Sequence, residues 1–173
     1  MKNIFWLLLF ITQFLTAQTA QNTNVKVIYS MKNEGSKKLA FKLQIDNNVS
    51  RYSSLGDLQV FTENISKSTS LDGKSMIFKN YDERKMFSNE TILGQKFLIC
   101  DSLQIMKWEL TDEKTDIVNL SCSSAVTTFR GRKYKAFYSN KILVSDGPWK
   151  FFGLPGLIIK IESLDGSYSY EAI

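Results

Sequence analysis

The side chains that could do acid–base chemistry in this 173-residue chain are carboxylates, lysines and tyrosines, because the sequence contains no histidine. The missing imidazole removes the commonest general base, the Ser-His-Asp triad and most zinc sites. Four carboxylates follow Trp108: Glu109, Asp112, Glu113 and Asp116. Their spacing is typical of a solvated turn, and it lacks the regular oxygen ligands and the glycine of an EF-hand. We therefore predict no catalytic residue, metal or cofactor, and a hydrolase that uses carboxylates remains an alternative.

A basic and aromatic stretch covers residues 130–150, where Asp146 is the single acid. One interpretation is a surface for anionic ligands or an acidic partner, since cations and aromatic rings together suit anions with an organic body. The other is a strand with a solvated charged face and core aromatics. The residues predicted to make contact are Arg130, Arg132, Lys133, Lys135, Trp149 and Lys150.

Two turn signals enclose an aromatic cluster directly after this stretch. Leu154-Pro155-Gly156 predicts a type II turn, because proline presets φ at the first central position and glycine accepts a positive φ at the second. We expect at least one of Phe151 and Phe152 to be buried and Trp149 to be partly exposed. The residues of this structural motif are Gly147, Pro148, Gly153, Leu154, Pro155 and Gly156.

The elements that must position these residues are β-strands. Apolar and polar residues alternate over 25–31 and 39–45, around a turn at Asn33-Glu34-Gly35-Ser36, which predicts a hairpin with one buried face. Further short strands are expected at 50–54, 75–80, 96–100, 105–110, 126–130 and 134–138, and a short helix is compatible with 57–66. The predicted fold is mainly β, with few short helices: an antiparallel sheet, a sandwich or a partly open barrel.

The last hairpin has the clearest register. An Asp165-Gly166 tip sets Ile161 opposite Tyr170, Ile159 opposite Ala172 and Lys160 opposite Glu171, which gives apolar pairs on one face and an ion pair on the other. The sequence ends at Ile173 within this strand. We therefore expect the domain to lack C-terminal strands.

Residues 1–20 have the pattern of a secretory signal peptide: Lys2, an apolar run and small residues at Ala17 and Ala20. Residues 21–173 then form one domain, with no membrane-spanning segment in the mature chain and a modest basic excess. Export makes nucleic acid an implausible partner. It also places Cys100 and Cys122 in an oxidising compartment, where either a disulfide or buried free thiols are possible.

The string Gly-Leu-Pro-Gly-Leu-Ile at 153–158, with Gly147-Pro148-Trp149 before it, resembles the GLPGLI family of secreted Bacteroidetes proteins. The resemblance extends over roughly 97–162 through 105–110, Cys122, Ala125, 129–132 and 137–138. Departures are Phe137-Tyr138 for a Trp-Tyr pair, Leu143 for a proline and Ser123-Ser124 where the family has a lysine.

This family has no established chemistry. What the resemblance implies is a location in the periplasm, at the outer membrane or outside the cell, beside TonB-dependent receptors. The leading hypothesis is a non-catalytic envelope binding or accessory protein, whose partner is an outer-membrane receptor or an anionic envelope component. The contact surface would be the 147–156 turn with the basic stretch. The alternative is a periplasmic carrier of lipid or another apolar ligand, which needs an open sheet with an apolar concave face.

Overall fold

The computed structural model describes residues 24–35, 37–57 and 74–173, with residues 74–76 described by backbone alone. This part of the chain contains no helix and eleven strands. The strands are β1 (Asn24–Asn33), β2 (Leu39–Asp46), β3 (Val49–Asp57), β4 (Lys74–Asn80), β5 (Lys85–Ile92), β6 (Gln95–Ser102), β7 (Glu109–Ile117), β8 (Leu120–Phe129), β9 (Arg132–Ser139), β10 (Leu157–Ser163) and β11 (Tyr168–Ala172). The prediction of a mainly β fold is confirmed.

All eleven strands belong to one open antiparallel sheet, in the order β6-β5-β4-β3-β2-β1-β11-β10-β9-β8-β7. The chain builds one arm by successive hairpins from β1 to β6, and the other arm from β7 to β11. The two arms join where β1 pairs with β11, at residues 29–33 and 168–172. The edge strands β6 and β7 are therefore neighbours in sequence and lie at opposite ends of the sheet order.

Two predicted hairpins form, and the second has a different tip from the one predicted. β1 and β2 pair on either side of the predicted turn, where Gly35 has a φ of 73°. In the last hairpin Ile161 lies opposite Tyr170 and Lys160 opposite Glu171, and the Lys160 ammonium is 3.5 Å from the Glu171 carboxylate. The tip is a wider turn, since Gly166 N–H donates to Ser163 O at 3.0 Å.

Two strands on the exposed arms differ from the prediction: one begins later than predicted and one was missed. Residues 105–108 are irregular, and the strand predicted there starts at Glu109, so the four carboxylates lie on an edge strand rather than in a turn. β5 was not predicted at all, because its sequence lacks a run of β-branched or aromatic residues. Asp57 ends β3 rather than starting the predicted helix. The rest of that predicted segment, residues 58–66, and the predicted signal peptide lie outside the described residues.

The 140–156 loop between β9 and β10 is packed against both arms of the sheet. Lys79 of β4 donates to Asp146 of the loop, although β4 and β10 are five strands apart in the sheet order. In a flat sheet those strands would be about 24 Å apart. The sheet therefore curves around this loop, and the core fills the space between them.

Candidate functional site: a cationic aromatic cavity

A buried ion pair fixes the loop to β4. The Lys79 ammonium donates to Asp146 Oδ1 at 2.5 Å, to Gly147 O at 3.1 Å and to Phe151 O at 3.2 Å, which uses all three of its donors. Lys79 and Asp146 are each 1% exposed. From the other arm, Trp108 Nε1 donates to Phe152 O at 2.9 Å. The loop is held by directional bonds from both sides.

The turn at Leu154-Pro155-Gly156 is tighter than the predicted type II turn. Gly156 N–H donates to Leu154 O at 2.8 Å, a three-residue γ-turn, while Leu157 N–H donates to Ile142 O at 3.1 Å. Gly156 has a φ of 153°, and a Cβ there would collide with the Ser139 carbonyl. The type II prediction is wrong because this glycine packs against neighbouring backbone as well as turning.

The remaining residues of the structural motif also serve packing. Pro148 is buried and Leu154 is 1% exposed. A Cβ on Gly147 would lie 2.8 Å from the Ile158 side chain. Gly153 has a φ of 97° and lies beside the Trp108 indole, and Pro155 is exposed. Four of the six therefore fit the core, and none of them lines the cavity described next.

The aromatic residues of the loop fill the core and form one wall of a cavity. Phe151 is fully buried and meets the rings of Phe129, Tyr134 and Trp149 edge to face, at 5.6, 4.8 and 5.5 Å between centroids. Trp149 is half-buried. The predicted burial of one phenylalanine and partial exposure of Trp149 are confirmed.

The cavity beside Trp149 has a volume of about 920 Å³, and we call it the first cavity. Its lining is Met31, Phe41, Tyr52, Arg130, Gly131, Arg132, Lys133, Tyr134, Trp149, Leu164, Asp165, Tyr168 and Tyr170. Two hairpin tips contribute its charged residues: β8–β9 supplies three cations, and β10–β11 supplies the single acid. The first cavity thus combines aromatic walls with exposed or half-exposed cations at a hairpin tip, and we call this charged rim its mouth.

Local backbone geometry places those cations. Arg130 and Gly131 have φ values of 51° and 79° between the paired Phe129 and Arg132, which is the two-residue hairpin turn with positive φ at both central positions. Arg132 Nε lies 2.8 Å from Asp165 Oδ2, and its guanidinium stacks 4.8 Å from the Tyr168 ring centroid. The Ser163 hydroxyl and the Ser167 N–H donate hydrogen bonds to the Asp165 carboxylate, and the Arg132 charge attracts it. These interactions hold the pKa of Asp165 well below its usual range.

The floor of the first cavity is made of tyrosines and a phenylalanine. The Phe41 and Tyr52 rings stack with centroids 5.0 Å apart. Burial raises the pKa of Tyr52 and of Tyr170, so both keep their protons at neutral pH. The Tyr52 hydroxyl is buried and makes no hydrogen bond with any residue that the structure describes.

The six residues predicted to make contact are divided by the structure. Arg130, Arg132, Lys133 and Trp149 line the first cavity. Lys135 instead forms an ion pair with Glu113, and Lys150 is buried beside a second, smaller cavity. A single surface made of all six is therefore not observed, because Lys135 and Lys150 lie against other neighbours.

Sequence reasoning missed the lining that comes from distant strands. Met31, Phe41, Tyr52, Tyr168 and Tyr170 lie on β1, β2, β3 and β11. The alternation of residues 39–45 signals a buried face but gives no indication of which loop covers it. Only the sheet order brings those strands to residues 130–134.

The cysteines and the carboxylates lie outside this cavity. Cys100 is an exposed free thiol on β6 and Cys122 a buried free thiol on β8. The four carboxylates after Trp108 are exposed on β7. Among the described residues no cluster of three histidine, cysteine, aspartate or glutamate side chains could hold a metal ion. Nor does this part of the chain include a helix with the length and apolarity needed to cross a membrane.

The fold is shared with known structures of another protein. No protein-family model matches the chain, and no curated protein matches its sequence. The structure of PNGF-II in the C2 space group matches with a TM-score of 0.59 and 16% identity over 85% of this chain. The P21 form gives 0.57 and 15% over 86%. The chain covers 26% and 27% of those chains, so it is similar to about a quarter of PNGF-II. At this identity the likeness shows the fold alone.

Proposed function

We propose that this protein is an exported, non-catalytic binding protein, and that the first cavity holds a molecule with an apolar body and an anionic end. The observation that carries the proposal is the placement of three cations at the mouth of a cavity whose walls are aromatic. This reading joins the two sequence-based hypotheses, since the predicted cationic contacts surround the concave apolar face that a carrier needs.

The size and lining of the first cavity suit an apolar body. Its volume of about 920 Å³ lies within the range of roughly 300–1,000 Å³ found for small-molecule sites. Aromatic rings and Met31 provide large contact areas with few hydrogen-bonding groups. Those polar groups that do reach the lining lie mainly at the two hairpin tips.

The mouth keeps uncompensated positive charge. Asp165 pairs with Arg132 alone. Arg130 and Lys133 are exposed and have no carboxylate partner among the described residues. A carboxylate or phosphate at the mouth would gain charge-assisted hydrogen bonds from these side chains, which are stronger than bonds between neutral groups.

Export and membership of the GLPGLI family belong to the same proposal. They are supported by the signal-peptide pattern of residues 1–20 and by the motif at 147–158. Membrane lipids and their breakdown products carry the required combination of apolar chain and anionic end. An envelope location would therefore expose the cavity to ligands of this class.

A charge series tests the proposal. Laurate, lauryl alcohol and lauryltrimethylammonium share one alkyl chain and differ in the charge of the end group. Their affinities are measured by displacement of a fluorescent fatty acid from the mature protein. Laurate should bind with a Kd about ten-fold lower than that of lauryl alcohol, and lauryltrimethylammonium should bind most weakly. Organic extracts of the purified protein, analysed by mass spectrometry, should contain anionic amphiphiles. Equal displacement by all three compounds would refute the role of the cationic mouth.

A further inference from the structure

A second cavity of about 530 Å³ lies on the other side of the aromatic wall. It is enclosed by the β6–β7 connection, the end of β8 and the 140–156 loop. Its lining is Met86, Asp101, Ser102, Leu103, Gln104, Ile105, Met106, Lys107, Thr128, Phe129, Arg130, Lys150 and Phe152. Phe129 of this cavity packs edge to face on Trp149 of the first, with centroids 5.7 Å apart. The two cavities therefore share a wall.

Lys150 is the unusual residue of the second cavity. The residue is 5% exposed, and its ammonium makes no hydrogen bond or ion pair with any residue that the structure describes. Its Nζ lies 5.9 Å from the centroid of the Trp149 ring. Charged groups in protein interiors are normally paired. The Lys150 ammonium has no such partner among the described residues, but its Nζ keeps access to solvent at the cavity. Lys79, the other deeply buried lysine of this core, has such a partner in Asp146.

The charged groups around Lys150 do not replace that partner. Burial, and then repulsion from Arg130, lower the pKa of Lys150, and the charges of Glu90 and Asp101 only partly oppose this. Lys107 adds a further cation to the lining. Cations thus outnumber acids in the second cavity, while most of its remaining walls are apolar.

We infer that the second cavity is a binding site for a small organic acid, with the carboxylate placed against Lys150 and Arg130 and the apolar body against Met86, Met106 and Phe152. This site is separate from the one in the proposed function, because Lys150 does not line the first cavity and Arg132 does not line the second. Only Arg130 belongs to both.

Methionine methyl groups report on the two cavities independently, since Met86 and Met106 line the second and Met31 lines the first. Isotope-labelled methyl groups are followed by NMR while benzoate, acetate or benzyl alcohol is added. Benzoate should shift the Met86 and Met106 signals with saturation, and the Kd read from these two signals should be independent of any shift at Met31, whose cavity has its own cations. Acetate lacks the apolar body and benzyl alcohol lacks the charge, so both should bind at least about five-fold more weakly.

Lys150→Gln should raise the Kd for benzoate at least about five-fold, whereas Lys150→Arg, which keeps the charge, should retain binding. An unchanged Met31 signal shows that a variant is folded. Arg130→Gln, at an exposed turn, is a second variant and should also weaken benzoate binding. The inference is overturned if benzyl alcohol binds as tightly as benzoate, or if neither Gln variant changes the Kd. Laurate binding in Lys150→Gln should equal that of the unmodified protein, which separates this site from the proposed function.

Discussion

At the residue scale, Trp149 combines an unfavourable backbone with a position between two cavities. Its φ of 52° lies in the left-handed region that bulky residues rarely adopt, at a cost of about 1–3 kcal/mol. Edge-to-face contacts with Phe129 and Phe151 hold the indole in place. Backbone strain of this kind persists only where the surrounding structure imposes it. Here the ring contacts impose it, and the result is that the Trp149 indole forms a wall of the first cavity.

Tyr52→Phe tests whether the Tyr52 hydroxyl, on the floor of the first cavity, has a hydrogen-bond partner. Because this buried hydroxyl makes no hydrogen bond with the described residues, its removal should leave the free energy of unfolding unchanged or raise it by up to about 1 kcal/mol. Urea unfolding measures the change. Tyr29→Phe is the control, because the Tyr29 hydroxyl donates to Ile158 O at 2.6 Å and its loss should destabilise. A comparable loss in both variants would show that Tyr52 is bonded.

Benzoate binding to the second cavity should fall as pH rises, and it should do so earlier than for an ordinary lysine. Burial lowers the pKa of Lys150 below that of an ordinary lysine, so the ammonium loses its charge at a lower pH. The charged groups that face Lys150 are Arg130, Lys107, Asp101 and Glu90. NMR titrations at several alkaline pH values measure the profile. Lys150→Arg should give a flat one, and a parallel decline in that variant would contradict the assignment.

Some residue-level outcomes were within reach of the sequence and others were not. The string at 147–156 encodes its own aromatic cluster, so the burial of at least one phenylalanine and the partial exposure of Trp149 followed from local pattern. Arg132 and Lys135 have the same residue class and lie three positions apart, yet one faces a cavity and the other Glu113. The odd spacing predicts opposite faces of β9, but which groups lie on each face depends on tertiary packing.

At the element scale, the Lys79–Asp146 pair is the main attachment of the 140–156 loop. Lys79→Met should lower the free energy of unfolding by about 3–5 kcal/mol, because Asp146 would remain buried without its cation. Lys79→Met combined with Asp146→Leu should recover much of that loss, since no charge is then buried alone. Chemical denaturation of the single and double variants measures both. Equal destabilisation in the two would mean that the loop does not depend on charge pairing.

Gly156 is required by packing, and Gly166 only by its backbone conformation. Gly156→Ala should destabilise by about 2–4 kcal/mol, because its Cβ meets the Ser139 carbonyl. Gly166 has a φ of 76°, and a Cβ there would have no atom within 4 Å. We therefore expect Gly166→Ala to lower the free energy of unfolding by about 1 kcal/mol, through backbone strain alone. Thermal unfolding ranks the two variants. A larger loss at Gly166 would contradict the close approach at Gly156.

Elements with one buried face were predictable, because burial imposes period-two alternation on β1, β2 and β10–β11. β7 is exposed along almost its whole length, and β6 along all of it. No face of β7 is buried, so nothing there selects apolar alternation, and its carboxylates indicated a turn. β6 was predicted from its apolar residues although all of it is exposed.

At the scale of the whole molecule, the edge strand β6 and its hairpin carry exposed apolar side chains. Leu93, Leu98 and Ile92 are 99%, 69% and 53% exposed. Open edges with apolar side chains favour pairing between chains. Leu98→Lys should therefore reduce self-association, and Leu164→Lys, at a hairpin tip that is 58% exposed, should change it less. Analytical ultracentrifugation compares the variants, and equal association in all of them would exclude β6 as the contact.

The sheet order could not be predicted from residue patterns. Each hairpin is a local feature, but the pairing of β1 with β11 joins the two ends of the described chain. That single contact decides that one curved sheet forms rather than two packed sheets. It also brings Met31, Tyr168 and Tyr170 together, and so creates the first cavity.

The measurement that tests the central claim most directly is the Kd for laurate of the unmodified protein, Arg132→Gln and Lys135→Gln. Both variants remove one positive charge from β9, but only Arg132 lines the first cavity. We predict about a ten-fold increase in Kd for Arg132→Gln and less than about two-fold for Lys135→Gln. Equal effects of the two variants, or no laurate binding by the folded unmodified protein, would contradict the account.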